Sequence, residues 1–212
     1  MDERLGPYMY HRDPVCFPLG RDSLELGKFA TVRPRWRVCD LGCGGGVLLL
    51  LLAGRAVGLT LAGVEICPQA AEAARANLAR NGLAGTIVTG DLRDCPLPPG
   101  QWDLVISNPP YFPVGAGRSG GGARMEEHCT LEELCAAAAR LLNNGGRLAL
   151  VHRPERLADL MVTLRSHRVD PKRMQLLQHD RVHAPSAVLL EAVKGGRPGL
   201  ELFPAAFVYN DL

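Results

Sequence analysis

Short apolar runs punctuate this chain, and more polar, alanine-rich stretches fill the spaces between them. The runs Trp36–Leu41, Leu59–Ile66, Thr86–Leu92, Trp102–Asn108 and Arg147–His152 predict strands; Val47–Ala53, Pro68–Arg80, Thr130–Leu142 and Glu155–His167 predict helices. Alternation of the two implies an α/β fold with a mostly parallel sheet joined by right-handed crossovers. The punctuation agrees: Pro68 suits a first helical turn, Asn81-Gly82 is a stop signal, Thr130 and Glu133 have capping-box spacing, and Asn143-Asn144-Gly145-Gly146 ends a helix. After Lys172 come shorter runs, Lys172–Gln178 and Ala187–Val193, then a Gly195–Gly199 turn and Glu201–Tyr209. These predict antiparallel strands added at one sheet edge.

With 212 residues, 47% of them hydrophobic, the chain suffices for one sizeable domain spanning 1–212, in which 1–35 precede a core of 36–212. The most apolar stretch, Val47–Ile66, is interrupted by Arg55 and Gly58 and closed by Glu65, so it reads as a helix plus a buried strand rather than a membrane span. The first residues, Met1-Asp2-Glu3-Arg4, do not have the form of a signal peptide. Seven cysteines without a Cys-x-x-Cys pair read as reduced thiols, and Cys43 as a small filler. The expectation is a soluble cytoplasmic protein, with no membrane partner and no metal. A net charge of +2 does not by itself argue for nucleic acid. Its distribution is more suggestive: Arg153, Arg156, Arg165, Arg168, Lys172, Arg173 and Arg181 face only Glu155, Asp159, Asp170 and Asp180. That segment either supplies phosphate contacts or is an ordinary solvated helix with its flanks.

Candidate chemistry begins at Asp40-Leu41-Gly42-Cys43-Gly44-Gly45-Gly46, between the first strand and helix of the core. A dinucleotide fingerprint needs glycine at its sixth position, where this chain has Val47 or Leu49, so the dehydrogenase pattern fails. The remaining Asp-x-Gly-x-Gly-x-Gly resembles the first motif of S-adenosylmethionine-dependent methyltransferases. Its glycines let the backbone approach the donor's amino-acid moiety, and Asp40 can meet the ammonium through water. Glu65, followed by Ile66, ends the second strand, where an acid can take both ribose hydroxyls. Asp91 and Leu92 end the third, where the acid can accept from an adenine amine and the leucine can pack on its ring.

Asn108-Pro109-Pro110-Tyr111 closes the fourth strand. An amine conjugated to a ring or carbonyl is a poor nucleophile because its lone pair is delocalised. The Asn108 side-chain oxygen and the Pro109 carbonyl oxygen can each accept one N–H, pulling nitrogen towards tetrahedral geometry with its lone pair facing a methyl donor. Pro109 and Pro110 stiffen the backbone, and the Tyr111 ring can stack on a flat substrate. The competing interpretation is a plain turn before a core tyrosine; the position at the carboxyl end of a strand favours function. Gly115–Gly122 directly follows, and is either an acceptor-binding lid, with Arg118 and Arg124 meeting phosphate, or a connector.

Nearly the whole chain resembles the bacterial tRNA (adenine-N6)-methyltransferases that modify the anticodon-loop adenine of a valine tRNA. The resemblance is carried by Phe17–Phe29 with Asp22-Ser23, the two motifs above, Ala123-Arg124 with Glu126, Cys129–Leu134 and Val151–Leu157. It implies a class I, Rossmann-like methyltransferase with a seven-stranded sheet and helices on both faces. It further implies that Asp40, Gly42, Gly44, Gly46, Glu65, Ile66, Asp91 and Leu92 hold S-adenosyl-L-methionine, which leaves as S-adenosyl-L-homocysteine. Asp22 would help close that pocket, with Asn108 at its boundary; Asn108 and Tyr111 would act on the adenine. Arg118, Arg124 and Arg153 are candidate tRNA contacts on a monomer. Alternatives are a release-factor glutamine, a ribosomal RNA or DNA amine as acceptor, or a donor-binding RNA module without turnover. A release-factor enzyme carries an extra amino-terminal helical domain, for which the roughly 35 residues ahead of the first strand are too few.

Overall fold

The computed structural model describes residues 2–109 and 129–207; Pro110, Tyr111, Arg118, Arg124 and the Gly115–Gly122 run lie outside the described residues, as does Tyr209. A hairpin of β1 (Asp2–Leu5) and β2 (Tyr8–His11) comes first, then helix α1 (Arg21–Phe29). The alternating core follows: β3 (Arg37–Leu41), α2 (Val47–Ala53), β4 (Thr60–Glu65), α3 (Pro68–Arg80), β5 (Gly85–Thr89), β6 (Trp102–Ser107), α4 (Leu131–Leu141), β7 (Leu142–His152) and α5 (Leu157–Ser166). The chain continues through β8 (Val169–Gln178), β9 (Ala187–Lys194), β10 (Glu201–Leu202) and β11 (Ala206–Phe207).

The strands lie in the order β10-β8-β9-β7-β6-β3-β4-β5. Strands β3 to β7 are mutually parallel, and β9 runs antiparallel to both β7 and β8. This is the expected α/β sheet of seven principal strands, with one correction. The last run does not add antiparallel strands: β10 and β11 are two-residue strands that pair with β8 in parallel. Strand β9 already has β7 and β8 on its two edges, so the chain leaving it reaches only the outer edge of β8. Having reversed direction at the glycine turn, it runs parallel there.

Successive strand residues point to opposite faces, and this alternation builds two cores. Val38, Leu104, Ile106, Ala149 and Val151 pack with α1, α2 and α3 through Leu26, Leu49, Ala74 and Leu78. Cys39, Val105, Leu148 and Leu150 pack on the other face with α4 and α5 through Leu134, Leu141, Leu160 and Leu164. The capping box opens α4 as expected, with the Thr130 side chain accepting from the Glu133 N–H and the Glu133 carboxylate accepting from the Thr130 N–H at 2.7 Å. Its far end differs. Asn143–Gly146 belongs to the bulged start of β7, because Gly145 adopts a φ of +83° and Asn143 donates to the Asp103 carboxylate of β6 at 2.8 Å.

Two features tie the amino-terminal segment down. Asn77 on α3 and Asn81, the residue that caps its carboxyl end, each exchange a donor and an acceptor with β2: Asn81 with Met9 at 2.9 and 2.7 Å, Asn77 with His11 at 3.0 and 3.1 Å. Their amides imitate a partner strand. Past α1, fully buried Glu191 accepts from the Thr31 N–H (2.7 Å), Arg147 (2.6 Å) and Arg173 (3.3 Å). Arg173 also lies over the rings of Phe29 and Phe203, at 4.7 and 4.8 Å.

Candidate active site at the switch point of the sheet

Strand order reverses between β3 and β6, the place where open α/β sheets bind ligands beyond their carboxyl ends. The glycine loop leaves β3 there. Gly42, Gly44 and Gly46 have φ of +76°, +49° and +86°, so the regular spacing in the sequence records three left-handed positions that L side chains rarely adopt. The Gly42 and Cys43 N–H groups donate to the Val64 carbonyl at 2.8 and 3.1 Å, which fastens the loop to the end of β4. Glu65, buried at that end, accepts from the Gly44 N–H at 2.8 Å and the Cys67 N–H at 2.9 Å. Asn77 donates to the Gly45 carbonyl at 2.9 Å, joining loop, hairpin and α3.

Asp40 is 1% exposed, and its Oδ1 has no hydrogen-bond partner among the described residues. Burial, and then the Glu65 charge, push its carboxyl well above the ordinary range. Burial likewise raises the Cys43 thiol, consistent with an inert filler. Beyond β3, β4 and β5 opens a cleft of roughly 330 Å³, part of it open solvent, lined by Gly42, Val64, Ile66, Gly90, Asp91, Leu92 and Cys129. Four of the expected donor residues therefore meet in one place. Ile66 is 41% exposed, an apolar side chain lining the cleft rather than buried in the core. The Asp91 carboxylate caps the 3₁₀ turn Leu92–Asp94 by accepting from the Arg93 N–H at 2.9 Å, and it pairs with the Arg93 guanidinium. Arg93 in turn reaches Glu133 of α4 at 3.1 Å.

On the other side of the switch point, β6 ends at Ser107, whose hydroxyl donates to the Leu41 carbonyl at 2.7 Å. This locks the ends of β3 and β6 together, so Asn108 emerges beside the glycine loop, half-buried. The Asn108 amide nitrogen donates to the Ser23 hydroxyl of α1 at 2.8 Å. Asp22, next to Ser23, is not among the residues lining the cleft; burial raises its carboxyl, partly offset by His179. The register Ser107 opposite Leu150 puts Arg153, the residue after β7, at the same end of the sheet as Asn108.

A family model for the methyltransferase small domain matches residues 26–166, from α1 to the end of α5. The chain belongs to this family. A relative from Porphyromonas gingivalis, a tRNA1(Val) (adenine(37)-N6)-methyltransferase, is 34% identical over 186 residues, covering 82% of this chain and 73% of that protein. Ribosomal RNA small subunit methyltransferase C from Klebsiella pneumoniae is 35% identical over 136 residues, which is 62% of this chain but 36% of the relative. Among solved structures, a predicted O-methyltransferase from Agrobacterium tumefaciens superposes with a TM-score of 0.71 at 22% identity, covering 88% of this chain and 86% of that one. The fold is that of the class I methyltransferases.

Within the small-domain framework, sequence reasoning missed Ser23 as a partner of Asn108, Asn77 and Cys129 as neighbours of the donor side, and Asn81 as an anchor of the hairpin. A serine three residues past a glycine, or asparagines spaced by four at a helix end, carry no local signal for such long-range contacts. Part of the basic stretch 153–183 is paired internally. Arg173 is spent on Glu191, while Arg156 and Arg165 pair with Asp159 and Asp170. Among the described residues no helix is long and apolar enough to cross a membrane.

Proposed function

We propose that the protein transfers a methyl group from S-adenosyl-L-methionine to the N6 amine of adenine 37 in the anticodon loop of a valine-type tRNA. The observation that carries this is the place of Asn108: it directly follows β6 beside a three-glycine loop, in a chain similar over 82% of its length to a tRNA1(Val) (adenine(37)-N6)-methyltransferase. The single domain 1–212 would act in the cytoplasm, where tRNA is modified, as a monomer.

The residues present fit the donor. Among the described residues, space is open in front of Gly44, where an added Cβ would meet nothing within 4 Å, and the buried Asp40 Oδ1 is an acceptor without a protein donor. Bound S-adenosylmethionine supplies a methyl carbon made electrophilic by its sulfonium and leaves as S-adenosylhomocysteine. Asp40 offers negative charge to the donor's ammonium. Each Glu65 oxygen takes one backbone N–H and retains a lone pair for a ribose hydroxyl. Ile66 and Leu92 cover the adenine ring, and Asp91 accepts from its amine.

For the acceptor, Asn108 Oδ1 and the Pro109 carbonyl each take one N–H of the adenine amine. This localises the nitrogen lone pair towards the methyl carbon; the nitrogen–carbon bond forms as the carbon–sulfur bond breaks, and the methylated nitrogen loses its extra proton to solvent. Tyr111 stacks on the base, while Arg118, Arg124 and Arg153 contact the tRNA backbone. Transfer of tritium from labelled donor, with tRNA, ribosomal RNA, release factor and DNA offered separately, tests this. Label in tRNA, recovered as N6-methyladenosine, is expected; label only in another acceptor overturns it.

A further inference from the structure

We infer that Ser23 is a positioning residue for methyl transfer, acting through the Asn108 amide. This rests on the function proposed above. A primary amide has two faces of opposite character, and only one suits the reaction. With its oxygen towards the acceptor amine, Asn108 receives an N–H; turned over, it would present two N–H donors to two N–H donors and repel the substrate. The two orientations have nearly the same shape, so packing alone does not choose between them. The Ser23 hydroxyl can donate as well as accept, so it does not select the orientation by itself; it anchors the amide in the one observed. It accepts from Asn108 Nδ2 at 2.8 Å, which holds the nitrogen against α1 and leaves the oxygen on the opposite side of the amide.

Ser23 can serve as a fixed point because α1 is itself immobilised. Arg55 donates to the Gly27 carbonyl and, at 2.7 Å, to the Ala30 carbonyl, and Arg173 donates to the Phe29 carbonyl at 3.1 Å. Gly27 lies so close to α2 that an added Cβ would stand 2.8 Å from a Leu51 methyl. The carboxyl-terminal half of α1 is thus clamped to α2 and β8, and Ser23 extends from it towards the end of β6. No local sequence motif links positions 23 and 108; the sheet's switch point brings them together.

The test compares Ser23→Ala with Ser23→Thr. In Ser23→Ala, kcat with tRNA is expected to fall roughly three- to tenfold, the loss of one neutral hydrogen bond that holds the productive orientation. The donor dissociation constant and the melting temperature should stay at their wild-type values, and Ser23→Thr, which keeps the hydroxyl, should restore kcat. A fall in kcat that Thr does not rescue, or one accompanied by loss of donor affinity, overturns the inference. The amide itself gives a readout independent of the acceptor. The Asn108 side-chain NH2 resonances, identified by their loss in Asn108→Ala, should shift in Ser23→Ala and return towards their original position in Ser23→Thr. Unmoved resonances overturn the positioning role even if tRNA is methylated. Shifted resonances in a protein that labels only a different acceptor would uphold it while refuting the tRNA assignment.

Discussion

Replacing Glu65 with glutamine should weaken both the donor loop and donor binding, by amounts the geometry sets. The carboxylate is 5% exposed and receives the Gly44 and Cys67 N–H groups at 2.8 and 2.9 Å, one on each oxygen. A charged acceptor makes each bond worth about 1.5–3 kcal/mol, and glutamine keeps only one oxygen, so one N–H faces an NH2 group instead. A destabilisation of about 2 kcal/mol follows, or roughly 4–8 °C in melting temperature for a chain of this size. Loss of one ribose acceptor costs about a further 1.5–3 kcal/mol in the complex, so the dissociation constant for S-adenosylhomocysteine should rise about 10- to 150-fold by calorimetry. A variant that melts earlier yet binds within threefold of wild type would make Glu65 a strut of the loop and nothing more. Unchanged melting would refute the account of the loop as well.

Asp40 gives a pH dependence. Its raised carboxyl holds a proton in the donor-free fold where an exposed carboxylate has lost it, so its contribution to stability declines as pH rises through the folded value. The donor's ammonium favours the ionised form. Donor binding should therefore release a proton and tighten with rising pH until the donor-free value is passed; calorimetry in buffers of different ionisation enthalpy measures this, and Asp40→Asn should abolish it. Proton-neutral binding across that range would contradict the placement of the ammonium near Asp40. Glu191→Ala should cost about 3–5 kcal/mol in urea unfolding, because Arg147, Arg173 and the Thr31 N–H lose their shared acceptor; a loss under about 1 kcal/mol would refute that role.

What could be read from sequence was what depends on local pattern. Strand and helix order, the capping box at Thr130 and the helix start at Pro68 are set by neighbours a few residues away, and they recur in the structure. The glycine spacing was legible for a similar reason: each of Gly42, Gly44 and Gly46 answers a backbone angle rather than a distant contact. The amino-terminal hairpin was not, since β1 and β2 are four residues each and held by Asn77 and Asn81, some 66–72 positions away. The parallel pairing of β10 and β11 escaped because it depends on which edge of β9 was already taken. Nor did sequence supply the internal pairing that removes Arg173 from any ligand surface, which follows from burial of Glu191.

The central claim is that Asn108 grips the acceptor amine and leaves the donor to the glycine loop. Measuring donor affinity and single-turnover methyl transfer together on Asn108→Ala tests it most directly. The account predicts a dissociation constant within about twofold of wild type and transfer slowed by about 10²–10³-fold, the scale for removing one preorganised hydrogen-bonding group from a reacting centre. Transfer at the wild-type rate, or a collapse of donor binding that accounts for the loss, would contradict it.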